Sequence, residues 1–241
     1  MPRYIVFLVM TLLAALTVGR AAAHHIWIEQ DDKEARLFFG EFNDNLREAS
    51  PGLLDRFVRP TATHISGTNA TSLRVEKSAN AYVLSGRAVT PGDSIVAEEA
   101  RYPIMERKSG EQVTRTVWTP AARYITDFAA RTATLTLDIV PGGDPGVFKL
   151  SYKGQPLPKA KVEVIALSGW ARQVTTDAQG EFRIAFPWKG LYAIEVRHTD
   201  RTPGERDGQK YDVASFVTTL TFIQPAGLES PPAPPAAPPN K

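Results

Sequence analysis

Histidine is scarce in this chain, and two of its four histidines, His24 and His25, are adjacent. They follow Ala21-Ala22-Ala23, which has the small-x-small pattern that signal peptidases recognise. A cut after Ala23 makes His24 the N-terminal residue. Its α-amine and its imidazole then belong to one residue and can chelate a single metal ion. The first residue of the processed chain is therefore the main candidate for chemistry.

The available ligand types favour particular metals. The chain has no cysteine, and of its three methionines only Met105 lies beyond the predicted leader. A Cu(I) or iron–sulfur site built on sulfur is therefore excluded. An amine and an imidazole nitrogen suit Cu(II) or Ni(II), with cobalt and iron as alternatives. We expect a divalent transition metal ion to be bound.

Spacing does not fix the residues that complete such a site. Adjacent side chains of a strand face opposite ways, so His25 would share a side with Trp27 and not with His24. It stays a candidate ligand because a chain terminus can turn inward. The distant candidates are His198, at the end of a predicted strand, and His64, in a segment of small polar residues.

Acidic residues near the start of the processed chain, Glu29 and Glu41, are candidate oxygen ligands. The chain has no HExxH or CxxC motif that would fix a ligand set. The four histidines also have a purely structural interpretation, as incidental polar residues at a cleavage site, on the surface and at a strand end.

Other catalytic arrangements are absent from the sequence. It contains no cysteine nucleophile and no G-x-S-x-G elbow. The glycine-rich stretch 142–146 lacks the lysine of a phosphate-binding loop and is typical of a turn. We therefore expect a binding protein, not an enzyme.

The N-terminal segment predicts export. Arg3 is followed by an uncharged apolar run at 5–18, which is shorter than the roughly 20 residues that span a membrane. We predict a cleavable signal peptide at 1–23 and a periplasmic protein; a retained leader that acts as an anchor is the alternative. Without Arg3 and Arg20 the 28 basic residues fall to the number of acidic ones, 26, so nucleic acid is not an expected partner.

Alternation of apolar and polar residues predicts an all-β fold. It is clearest in KVEVIAL, LYAIEVRH and DVASFVTTLTF, whereas TPAARYITDFAART is ambiguous between helix and strand. The turn-rich PGGDP predicts a boundary between two β-sandwich-like units, a β-rich domain at 24–140 and an immunoglobulin-like domain at 141–225. The proline-rich residues 226–241 predict a solvated, disordered tail.

The mature start HHIWIEQ resembles the His-x-x-Trp opening of the periplasmic NikM-like family, which is grouped with nickel and cobalt uptake. Thr176, Asp177, Gly180 and Phe182 resemble the turn of the carboxypeptidase-regulatory type of immunoglobulin-like module. The likeness is most specific at 137–222.

The resemblance implies a soluble periplasmic protein that binds a transition metal and serves metal uptake or homeostasis. Its partner would be a membrane transporter or a TonB-dependent receptor system. It also implies that His24 is a metal ligand, with His25 and Trp27 beside it and His198 near the last strands. Two alternatives stay open: an immunoglobulin-like module that binds a protein or an envelope glycan, and a copper enzyme with a histidine brace.

Overall fold

The computed structural model describes residues 24–86 and 89–240, so the predicted signal peptide lies outside the described residues. Strands form most of the regular structure, which confirms the all-β prediction. The described helical segments are two 3-10 turns, Phe42–Asp44 and Leu53–Arg56. No helix in this part of the chain is long and apolar enough to cross a membrane.

The first half of the chain forms strands β1 to β9. Their bounds are β1 His25–Gln30, β2 Ala35–Glu41, β3 Leu46–Arg47, β4 Thr61–Ser66, β5 Asn69–Lys77, β6 Tyr82–Ser85, β7 Asp93–Glu98, β8 Met105–Ser109 and β9 Gln112–Ile125. The ambiguous segment before residue 126 is thus the end of β9. Its residues 121–125 are all buried, and burial on both faces removes the alternation that marks a strand.

The second half forms β10 to β19. Their bounds are β10 Leu137–Pro141, β11 Val147–Tyr152, β12 Gln155–Pro156, β13 Lys161–Ala166, β14 Ala171–Thr175, β15 Glu181–Arg183, β16 Gly190–Asp200, β17 Gly204–Arg206, β18 Gln209–Tyr211 and β19 Val213–Gln224. The strands predicted from KVEVIAL, LYAIEVRH and DVASFVTTLTF correspond to β13, β16 and β19.

One large sheet runs through both halves, in the order β1-β2-β6-β5-β4-β7-β9-β19-β16-β13-β14. It curls so that β1 packs across β9 and β19. Two hydroxyls of β19 fix this crossing: Thr219 donates to the carbonyl of Ile26 at 2.7 Å, and Thr221 donates to that of Ile28 at 2.5 Å. The first core lies inside the curl.

Strands β16 and β19 form a wall between two regions. Even-numbered residues such as Tyr192, Ile194 and Val196 face a second core, which β10, β11 and β15 cover from the other side. Odd-numbered residues such as Ala193 and Glu195 face β1 instead. The alternation of β16 therefore reflects two different apolar environments.

The stretch predicted as a domain boundary, residues 141–145, joins β10 to β11. The sheet, however, continues across the halves of the chain, because β19 pairs in parallel with β9 over Val213–Thr221 and Thr116–Tyr124. Val217 of β19 belongs to the first core. Residues on either side of the predicted boundary thus share one sheet and one core.

The proline-rich tail, predicted to be disordered, contacts the folded part of the chain over its described residues. Leu228 pairs with Trp188, and Ala237 pairs with Leu46. These contacts arise because the few amides that the prolines leave in the tail find backbone acceptors, as when the amide of Ala237 donates to the carbonyl of Asn45 at 3.3 Å.

Candidate functional site

His24 lies just before β1, with its ring between two glutamates. Its Nδ1 is 3.4 Å from Oε1 of Glu41, and its Nε2 is 2.5 Å from Oε1 of Glu48. The ring also packs on Phe39, with ring centroids 5.0 Å apart. The His24 side chain is 18% exposed, whereas that of Glu48 is fully buried. The imidazole is therefore largely enclosed but keeps some contact with solvent.

The turn between β2 and β3 places the two glutamates. Glu41 ends β2, and the chain reverses at Asn45, which has a left-handed conformation with φ +49°. Strand β3 then returns beside β2, and the amide of Glu48 donates to the carbonyl of Phe39 at 2.8 Å. Gly40 permits this tight return, because a Cβ there would collide with the carbonyl oxygen of Leu46.

The pocket around His24 is short of positive charge. Glu48 receives hydrogen bonds from His24 and from Asn240, neither of which is a permanent cation. Burial raises the pKa of Glu41, and Asp44 beside it adds to the effect, while His24 opposes it. Two carboxylates thus share one imidazole, an arrangement that favours an additional cation.

The hydrogen bond to Glu48 also determines what the other ring nitrogen can do. A carboxylate accepts hydrogen bonds only, so Nε2 of His24 carries the proton that Glu48 binds. In the neutral imidazole Nδ1 then presents a lone pair towards the Glu41 oxygen at 3.4 Å. Two acceptors facing each other at this distance repel unless a proton or a metal ion lies between them.

His25 has a different environment. Its ring is buried beside Trp27, with centroids 5.6 Å apart, which confirms the predicted side of the strand. Nε2 accepts the amide of Phe42 at 3.2 Å, and Nδ1 is 2.8 Å from Oε2 of Glu195. Nε of Arg197 is 2.6 Å from the other oxygen of Glu195. Nε2 of His25 is therefore occupied, whereas Nδ1 faces the Glu195 carboxylate at ion-pair distance without a well-aligned hydrogen bond.

The charge of the His25 pocket is balanced. Burial by itself raises the pKa of Glu195, but the neighbouring His25 and Arg197 outweigh it and hold this pKa below its ordinary value. Glu195 is thus favoured as an ion by the charges beside it.

His198 lies on the other face of the wall. It is three residues from Glu195 along β16, so the two side chains point to opposite sides. Its ring packs on Tyr152, with centroids 4.3 Å apart. Burial lowers the pKa of His198. The structure therefore does not bring His198 to His24.

His64 lies near the other end of the first core. Its Nε2 is 3.1 Å from Oδ2 of Asp93. The strand register aligns His64 with Thr221, whose hydroxyl donates to the carbonyl of Ile28. The contacts of His64 are thus with Asp93 and not with the His24 pocket.

Glu29, the other acidic candidate, is engaged elsewhere. Its Oε1 accepts hydrogen bonds from Arg47 at 2.6 Å and from the Trp27 indole at 2.8 Å. Of the predicted residues, only His24 and Glu41 come together. Sequence reasoning missed Glu48 and Asn240, which no motif marks. Across residues 24–86 and 89–240, no group of three or more His, Cys, Asp or Glu side chains is arranged to hold a metal ion.

Comparison with known proteins provides a family. The model of a domain of unknown function, DUF4198, matches residues 21–200. The chain belongs to this family. The matched residues include His24, Glu41 and Glu48. They also include His25 and Glu195, and the match ends at the last residue of β16. No curated protein matches the chain.

Proposed function

We propose that the processed protein binds a divalent transition metal ion at His24, through the α-amine, ring nitrogen Nδ1 and the carboxylate of Glu41. A cut after Ala23 would release the amine beside the ring that carries Nδ1. Two nitrogens and one oxygen form a donor set for Cu(II) or Ni(II), with cobalt and iron as alternatives. The side chains present fit such an ion, and the amine supplies the third ligand that the described side chains lack.

The observation that carries the proposal is the 3.4 Å separation between Nδ1 of His24 and Oε1 of Glu41. Metal–nitrogen and metal–oxygen bonds of roughly 2.0–2.2 Å place neighbouring ligand atoms about 2.8 Å apart at a right angle and up to about 3.6 Å apart at a tetrahedral angle. The two atoms are thus already spaced as ligands of one ion. The raised pKa of Glu41 agrees, because a cation would relieve the cost of burying that carboxylate.

Glu48 has the contact expected of a residue that orients a metal ligand. Metal-bound histidines generally donate their second ring N–H to a carboxylate, which fixes the tautomer and the ring orientation. Nε2 of His24 makes this contact with the fully buried Glu48. Nδ1 is then the nitrogen that is available to a metal.

The cellular role that this site supports is metal capture in the periplasm for uptake or homeostasis. The NikM-like resemblance of HHIWIEQ supports that role. We also propose that residues 141–225 are an immunoglobulin-like module. A membrane transporter or a TonB-dependent receptor system would receive the ion. A histidine-brace enzyme would need a second imidazole beside His24. His25 instead faces Glu195, so the site gives no support to that alternative.

Calorimetric titration of the processed protein with Cu(II) and with Ni(II) tests the proposal. We expect one ion per chain. His24→Ala keeps the α-amine but removes Nδ1, so the two-nitrogen chelate is lost and the affinity should fall by about 100-fold or more. His64→Ala is the matched control and should keep the wild-type affinity. Equal affinity of the His24→Ala variant and the wild type would refute the proposal.

A further inference from the structure

The last described residues of the proline-rich tail contact the His24 pocket. The amide of Asn240 donates to Oε2 of Glu48 at 3.0 Å, and its side-chain Nδ2 donates to Oε1 at 2.6 Å. The same Nδ2 is 3.4 Å from Nε2 of His24. Asn240 therefore contacts both members of the His24–Glu48 pair from the end of the chain, 192 residues beyond Glu48.

Further contacts hold the tail on this path. The side chain of Asn45 donates to the carbonyl of Pro234 at 2.9 Å, and the amide of Ala237 donates to the carbonyl of Asn45. Among residues 231–240 only four are not proline and carry an amide N–H. Two of those four amides, at Ala237 and Asn240, are used in these contacts. Proline stiffens the segment, so little chain entropy is lost when it docks.

We propose that residues 234–240 are a latch that closes the His24–Glu48 pair, with Asn240 as the residue that holds the Glu48 carboxylate in place. Asn240 satisfies the oxygen of Glu48 that His24 does not reach and shares the other. It thus fixes the carboxylate that in turn fixes the imidazole. The tail also covers the edge of the ring that faces Glu48.

The latch has a consequence for metal exchange that rests on the proposed function. A residue that orients a metal ligand typically changes metal affinity by 10- to 100-fold when it is removed. Opening the latch would free the Glu48 carboxylate and expose the ring, so a bound ion would leave faster. A partner that captures the proline-rich segment would then promote release of the ion.

The metal-free protein provides the first test. Diethyl pyrocarbonate acylates accessible neutral imidazoles, and peptide mass spectrometry reads the rate at each histidine. We expect Asn240→Ala and Ala237→Pro, which removes a latch amide, to release Nε2 from Glu48 and open the ring edge that the tail covers. The rate at His24 should then rise by about tenfold, as for a latch closed nine-tenths of the time. The rate at His64 is the internal control and should not change.

Glu229→Gln provides the matched tail control, because Glu229 contacts Lys189 and lies outside the latch. Unchanged acylation of His24 in both latch variants would overturn the latch, whether or not the protein binds metal. Faster acylation in a protein that binds no metal would instead support the latch and refute the proposed function.

The metal-loaded protein provides the second test, by stopped-flow transfer of Cu(II) to a chelator. We expect release to be about tenfold faster from both latch variants and unchanged from Glu229→Gln. Release at the wild-type rate from variants in which His24 is acylated faster would show that the tail covers the pair without holding the ion, and would overturn the role of Asn240.

Discussion

His24 and His25 each place a ring nitrogen beside a buried glutamate, yet the two pockets differ in charge. In the His25 pocket, Glu195 lies beside the His25 imidazole and the Arg197 guanidinium, and its pKa is held below the ordinary value. In the His24 pocket, two glutamates share one imidazole, and the pKa of Glu41 is raised. The sheet separates the pockets, because adjacent residues of β1 face opposite ways.

The difference teaches how to tell a structural ion pair from a cation site. A buried carboxylate costs free energy unless opposite charge and hydrogen bonds compensate it. His25 and Arg197 compensate the charge of Glu195, so we expect His25 to stabilise the fold. Compensation is incomplete around Glu41, whose pKa is raised by burial, so the His24 pocket gains from an added cation.

The largest expected effect concerns the balanced pocket. Glu195→Ala leaves the buried His25 without its carboxylate and removes a partner of the exposed Arg197, and we expect the free energy of unfolding to fall by about 3 kcal/mol. Urea denaturation measures this change. Glu163→Ala, at the exposed position paired with Glu195 across β13 and β16, should change stability by less than about 0.5 kcal/mol. Similar small losses in both variants would mean that the Glu195 pair is not structural.

The next effect concerns metal affinity in the unbalanced pocket. Glu41→Gln removes a charged oxygen ligand but keeps the shape of the side chain, and we expect Cu(II) affinity to fall by about 100-fold, which corresponds to about 2.7 kcal/mol. Titration calorimetry measures it. Glu29→Gln is the control, since Glu29 binds Arg47 instead. A wild-type affinity for Glu41→Gln would remove this residue from the ligand set.

A smaller effect is expected on the stability of the metal-free protein. Glu41→Gln should weaken metal binding but stabilise the fold. Because Glu41 has a raised pKa, its ionised form opposes folding at neutral pH. Glu41→Gln should therefore stabilise the metal-free protein at pH 7, by about 0.5 kcal/mol in urea denaturation. Destabilisation by this variant would show that the His24 pocket is already balanced.

The stability contributions of Glu195 and Glu41 depend on pH in opposite ways. Glu195 has a lowered pKa, so its contribution is present above the unfolded value of 4.5 and is lost as the pH falls through the folded value. Glu41 has a raised pKa, so its penalty is present at neutral pH and disappears as the pH falls. Acid denaturation should bring Glu195→Gln closer to the wild type in stability, and the advantage of Glu41→Gln should vanish.

Much of the fold follows from the sequence. The alternation in KVEVIAL predicts a strand, and Val162 and Val164 of β13 indeed face one core. Alternation reports that a strand is half-buried, but it does not say which core lies on which side. His198 shares the core-facing side of β16, as its pattern suggests, yet that core is the second one, whereas the ring of His24 packs at the first.

Less of the site follows from the sequence. His24 is found through the residues before it, and His25 is assigned to the side of Trp27 by strand geometry. Glu48 and Asn240 are not found, because their contacts with each other and with His24 join residues that are 24 to 216 positions apart. Only the β2–β3 turn and the docked tail bring these residues together, and neither leaves a local pattern.

The most direct test of the central claim compares the metal affinity of two forms of the wild-type fold. One form begins at His24 after processing, and the other carries a single additional alanine before His24. The added residue moves the amine away from the ring while it leaves Nδ1, Glu41 and Glu48 unchanged. We predict that Cu(II) affinity falls by about 100-fold in the extended form, or about 2.7 kcal/mol. Equal affinity of the two forms would contradict a site built on the N-terminal amine of His24.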